Sequence, residues 1–304
     1  MSAMTGAICF LFFLSGVAAL LFETLWFVQA SLAFGNSVWA SALVLAGFMG
    51  GLGFGNAAAI RYADRWRRSL LVYSILEVAV GISGYALVWL LPVLSPLLAP
   101  LFGQIVDYPA LLNGIRLAIA FILMLVPTTA MGLTLPLLVR AIHRNQSDFG
   151  GAFGNLYGWN TLGAMVGALI GELGLIAGAG IRGAAAVAGA LNVLAALLAF
   201  RLVRRQPPKE PRDADARPKT LGSLTTSVWM LAAAAALSGA VFLALEVVWF
   251  RQLLIFHNAF SWNFSLMLAV VLAGIGSGGL IAAGLFKRLA EAHRLAGIVA
   301  WIAG

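Results

Sequence analysis

Leu14–Phe27 reads LSGVAALLFETLWF, and Leu237–Phe250 reads LSGAVFLALEVVWF, 223 residues later. Seven of the fourteen positions are identical, among them Ser, Gly, Glu, Trp and Phe, a combination that apolar composition alone would not repeat. The echo continues outward through Gln29/Gln252, Trp39/Trp262 and Gly51-x-Gly53-x-Gly55 against Gly274-x-Gly276-x-Gly278. At about 100° per residue, Ser15, Glu23 and Trp26 are expected on one side of a helix, as are Ser238, Glu246 and Trp249. An ionisable group inside an apolar helix is costly, and here it recurs at one register. The chain therefore reads as two copies of one membrane unit.

Composition agrees with that solvent. Hydrophobic residues make up 62% of the 304, charged residues 10%, and the mean hydropathy is +0.98. These values predict an all-α polytopic membrane protein. The single Cys9 excludes an intrachain disulfide framework, and the three histidines (143, 257, 293) show no ligand spacing, so neither a metal nor a cofactor is expected. The net charge of +8 does not point to nucleic acid, because sixteen of the nineteen Lys/Arg lie in three short loops and one linker. That is the pattern of cytoplasmic loops.

In chain order, a first span is expected at about Ala7–Ala30, lacking the basic start and cleavage site of a signal peptide. A second follows at about Val38–Ile60, then the four arginines of 61–68, then a third span at Leu70–Leu91. The stretch Pro92–Leu112, broken by Pro92, Pro96, Pro100 and Pro109, reads as an outer-face loop with an interfacial segment. Span four (Asn113–Val139) holds Pro127 and Pro136, whose freed carbonyls neighbouring helices or Thr128, Thr129 and Thr134 could satisfy. Span five carries Gly154/Gly158 and Gly163/Gly167/Gly171, each four apart, as one smooth face for close helix approach. A Gly-rich turn bearing Arg182 leads to span six at Gly183–Val203.

Arg201–Lys219, with seven basic residues, three acidic and four prolines, reads as a flexible cytoplasmic linker. The expected division is 1–203 as a first six-helix repeat, 204–227 as linker, and 228–304 as the start of a second, incomplete repeat. Spans seven (Val228–Phe256) and eight (Phe260–Phe286) repeat one and two, and a truncated ninth begins at Leu295. Alternation through the basic loops puts the N-terminus inside a bacterial cytoplasmic membrane. It also gives both repeats the same orientation.

Parallel six-helix repeats are the arrangement of major-facilitator transporters, and the loop Ala63-Asp64-Arg65 with Arg67-Arg68 partly resembles that superfamily's signature. FLSGVAALLFETLWF, SVWASALVLAGFMGGLGFGN, PTTAMGLTLPLLVRA and LYGWNTLGAMVGALIG together resemble the membrane-embedded spermidine-synthase-like family. In that family a major-facilitator-like region is fused to a C-terminal aminopropyltransferase domain. The resemblance implies spermidine synthase-like transferase activity in a soluble domain that no segment of these 304 residues supplies, so no catalytic residue is expected here.

Gly274-x-Gly276-x-x-Gly279 satisfies a dinucleotide fingerprint literally, but lies within an expected span and reads as helix packing. The candidate ligand or proton site comprises Glu23, Glu246, Ser15, Ser238, Trp26 and Trp249, with Glu77, Glu172, Asn160 and Arg251 as secondary candidates. Glu77 is expected to pair with cytoplasmic arginines, Glu172 with Arg182 or Arg116, and Arg251 to reach outward. The two main glutamates either pin helices together or bind a cation. Three functional readings follow: the membrane module of a polyamine-synthase-like protein, a stand-alone secondary transporter, or a scaffold that oligomerises through glycine-rich faces. The partners they imply are the bilayer and a polyamine or other small organic cation.

Overall fold

The computed structural model describes residues 3–34, 38–62, 65–66, 68–142, 149–204, 226–256 and 260–286. These form eight α-helices: α1 (Ala3–Phe34), α2 (Val38–Tyr62), α3 (Ser69–Gln104), α4 (Pro109–Ile142), α5 (Phe149–Ile170), α6 (Ile176–Val203), α7 (Thr226–Phe256) and α8 (Phe260–Phe286). A π-helical turn, Gly171–Leu175, joins α5 to α6. In a bilayer every backbone polar group must be satisfied within the segment, so long apolar runs close into helices. Residues 205–225 of the linker and the Leu295–Gly304 run lie outside the described residues, as does the turn at Gly35-Asn36.

Among the described residues, six helical stretches are long and apolar enough to cross a membrane: Ala3–Ala30, Ser69–Leu94, Pro109–Ile142, Gly150–Val203, Ala232–Phe256 and Trp262–Gly284. This differs from the expected eight complete spans with a ninth begun. One reason is that α5, the π turn and α6 run on without a loop. The Gly-rich turn expected between them shrinks to Gly180, whose φ of 69° and ψ of 176° break the helix. Glycine adopts that φ without the Cβ clash other residues meet.

Neighbouring contacts give the direction of each helix. Along α1 and α3, Ser15 meets Glu77, Trp26 meets Gly84, and Gln29 meets Val88, so the two run parallel. Gly163, Gly167 and Gly171 of α5 face Phe13, Val17 and Leu21, again in parallel. Gly81 against Gly189 and Trp89 against Arg182 make α6 antiparallel to α3. The chain thus reverses at Gly180.

The prolines at 92, 96 and 100 do not open a loop: α3 continues through all three to Gln104, and α4 begins at Pro109. The expected outer-face loop shrinks to the four residues between them. Proline removes one helical donor and leaves the carbonyl four residues earlier without its partner. For Pro92 that carbonyl belongs to Val88, and the Gln29 side-chain amide donates to it at 2.7 Å. A neighbouring helix thus supplies the missing bond.

Without a hydrophobic drive between helices in lipid, close packing of small residues carries association. The two glycine groups of helix five serve different partners, where the spacing suggested one face. Gly163 and Gly167 sit on backbone atoms of Phe13 and Val17 in α1, while Gly154 and Gly158 meet Gly279, Ala283, Gly276 and Leu280 of α8. The repeated glycine triads also diverge. In α2 the outer pair, Gly51 and Gly55, faces Thr128 and Gly132 of α4, whereas in α8 it is Gly276 and Gly279 that face α5. Glycines at i, i+2 and i+4 occupy two faces of a helix, so each copy uses the face its neighbour offers. The literal dinucleotide fingerprint lies wholly within α8.

Candidate intramembrane site

Glu23 lies in the middle of α1 and is 3% exposed. The charged group that acts on it is Glu246 of α7, its counterpart in the repeat. Glu246 is half-buried, and its Oε1 is enclosed without a hydrogen-bond partner. One turn along both helices come Phe27 and Phe250, also counterparts, with ring centroids 5.9 Å apart in an edge-on arrangement. Phe264 of α8 stacks on Phe27 at 3.9 Å and meets Phe250 at 5.7 Å. α7 folds back along α8 through Asn263 with Leu253 and Phe250 with Phe264, and α8 runs antiparallel to α5, so α7 runs parallel to α1.

The remaining candidates separate. Ser15 Oγ donates to Glu77 Oε1 at 2.7 Å, and Trp26 Nε1 donates to the Gly84 carbonyl at 3.2 Å. Both side chains therefore address α3. Helical geometry accounts for the split: Ser15 and Trp26 are about 20° apart around the axis, and Glu23 is about 80° from Ser15. Trp26 is fully buried and stacked on Phe22 at 5.5 Å, so it is a packing group and not an interfacial anchor. Their counterparts on α7 are placed differently. Ser238 and Arg251 are exposed, and Trp249 is 44% exposed.

Among the described residues no arginine of the 61–68 loop bonds to Glu77, which is 1% exposed and held by Ser15. Arg182 and Arg116 lie on aromatic faces, Arg182 at 3.7 Å from the Trp89 ring centre and Arg116 at 5.0 Å from that of Phe102. Glu172 sits in the π turn. Asn160 Nδ2 donates to the Phe12 carbonyl at 2.9 Å, and its own carbonyl fills the space beside Gly16. It is a strut between α5 and α1.

No family model matches the chain, and no curated protein or solved structure does either. The site therefore has to be read from its own chemistry. Two carboxylates facing each other in a low-dielectric setting cannot both carry charge cheaply. They can share a proton, or accept one cation between them. Phe27, Phe250 and Phe264, one turn away, are buried and pack on one another as an apolar plug beside the carboxylates.

Three residues outside the candidate set take part in the polar core. Gln29 completes the Val88 carbonyl, Tyr73 faces the Ser15–Glu77 pair, and Asn192 is buried in α6. Tyr73 stands four residues before Glu77, which is one turn on a helix and a legible signal. Asn192, a lone amide in an alanine-rich span, was legible by the same reasoning applied to the glutamates.

Proposed function

We propose that this chain is a membrane module of the spermidine-synthase-like kind, with a major-facilitator-like helix arrangement, that holds a polyamine or related small organic cation between Glu23 and Glu246. The observation carrying this reading is that Glu246 acts electrostatically on its buried counterpart Glu23, one turn from the contact of Phe27 with Phe250. Parallel repeats of this type place their substrate sites at the repeat interface, near the bilayer midplane. The glycine-lined contact of α5 with α8 supports the same arrangement, since it joins a helix of the first copy to one of the second. A polyamine brings two or more ammonium groups, which match two carboxylates in charge. Uptake of the amine would displace the proton that otherwise neutralises the pair, coupling the two movements.

The test compares the parent protein with Glu23→Gln, Glu246→Gln and the double change, for spermidine and putrescine binding in detergent and for uptake into proteoliposomes. Glutamine keeps hydrogen-bonding capacity and removes the charge, so binding should fall about tenfold or more while the protein still folds. Unchanged binding in the double variant would leave these carboxylates as helix-pairing groups. The reading would then fail.

A further inference from the structure

A second buried carboxylate lies apart from the Glu23–Glu246 contact. Glu77 is 1% exposed, and its hydrogen bond from Ser15 engages Oε1 only; Oε2 is enclosed with no partner. The Tyr73 hydroxyl faces both Ser15 and Glu77, is fully buried, and makes no hydrogen bond of good geometry. One turn along α3 from Glu77, Gly81 packs against Asn192 of α6, which is 1% exposed with both amide atoms unpartnered.

The surroundings bear on what these groups need. This polar layer divides the apolar interior in two. Ile8, Leu11, Phe12, Leu70 and Leu138 lie on one side, and Val17, Leu21, Val80 and Leu87 on the other. Helix α6 contributes Ala188, Ala195 and Ala199, all fully buried, together with Asn192. Among the described residues no basic side chain bonds to Glu77. Burying a carboxylate without a counter-charge is costly, and so is each enclosed polar atom left without a well-placed partner. Four such atoms in neighbouring turns are more than packing accounts for.

The geometry points to a binding site for a small monovalent metal cation, of sodium size, among Glu77, Tyr73 and Ser15. All the available donors are hard oxygens, which select alkali and alkaline-earth ions over transition metals. A single carboxylate balances one positive charge, whereas calcium or magnesium sites rely on more acidic ligands or on substrate phosphates. The site belongs to the first repeat alone: Ser238, the counterpart of Ser15, is exposed. It is independent of the amine site proposed above, because Ser15 and Glu77 meet at the α1–α3 contact while Glu23 lies about 80° further around α1.

The full chain in detergent is titrated with sodium chloride against choline chloride at constant ionic strength, and Tm is followed together with retention of radioactive sodium by equilibrium dialysis. A saturable rise in Tm and about one sodium ion retained per chain are expected. Glu77→Gln should abolish both. Ser15→Ala and Tyr73→Phe should each raise the sodium concentration for half-saturation about tenfold. Glu23→Gln should leave sodium retention unchanged, which separates this site from the amine site. Should Glu77→Gln not fold, the Ser15 and Tyr73 variants decide the matter, since each removes one oxygen from the set. No saturable retention by the parent protein, or equal retention by Ser15→Ala and Tyr73→Phe, would overturn the assignment and leave a buried water or proton in the sodium's place.

Discussion

The side-chain amide of Gln29 takes the place, on the carbonyl of Val88, that the backbone of Pro92 cannot fill, with Nε2 lying 2.7 Å from the oxygen. This one bond both repairs α3 at its first proline and ties α3 to α1. An interhelical hydrogen bond in a membrane protein contributes roughly 0.5–2 kcal/mol. Gln29→Leu should lower stability by about that amount in detergent unfolding. In a Pro92→Ala background the backbone N–H returns to Val88, so the same change should cost less. A double-mutant cycle showing no coupling between the two positions would contradict the pairing.

Close backbone approach between α1 and α5 rests on Gly163 and Gly167, where an added Cβ would run into the carbonyl oxygens of Phe13 and Val17. Backbone cannot move aside as a flexible side chain can. Gly163→Ala and Gly167→Ala should each destabilise by about 1–3 kcal/mol, the range of overpacked cores. Gly174→Ala, by contrast, meets nothing within 4 Å and should be close to neutral. Thermal unfolding of the three variants side by side checks the ordering.

The contact between the repeat copies can be trapped chemically. With Cys9 replaced, the pair Phe27→Cys and Phe250→Cys should be joined by a short bis-maleimide within one chain, given ring centroids 5.9 Å apart. Pairing of position 27 with a cysteine placed at Leu237, ten or more residues away along α7, should fail. The reverse result would require α1 and α7 to run antiparallel.

Topology is open to labelling because the one native thiol is out of reach: Cys9 is 2% exposed. Alternation through the basic loops expects Arg65 on the cytoplasmic side and Tyr108, an exposed residue in the turn between α3 and α4, on the outer side. A membrane-impermeant maleimide added to whole cells should label Tyr108→Cys and spare Arg65→Cys. Labelling of Arg65→Cys alone would invert the orientation of the whole chain.

Much of the architecture is legible in residue order, and for identifiable reasons. The apolar runs declare the lipid solvent, because only a helix satisfies its backbone there. The 223-residue echo ties Leu14–Phe27 to Leu237–Phe250, and Phe27 and Phe250 do meet. What residue order could not assign was the direction each side chain faces. Ser15, Glu23 and Trp26 were grouped by an angle that spans some 80°, wide enough to cover two different neighbours. In a helix that is apolar all round, no polar face marks where protein gives way to lipid, so periodicity cannot rank those neighbours. The prolines of α3 misled for a related cause: their disruption is local, and its repair comes from Gln29, some sixty residues away in sequence. Glu77 was assigned to nearby arginines by sequence distance, but burial brought it Ser15 instead. Solvent, repeat and loop charge are properties of the chain in order. Partner choice among buried polar groups belongs to the tertiary structure, because a group removed from water bonds to whichever helix packing places within reach.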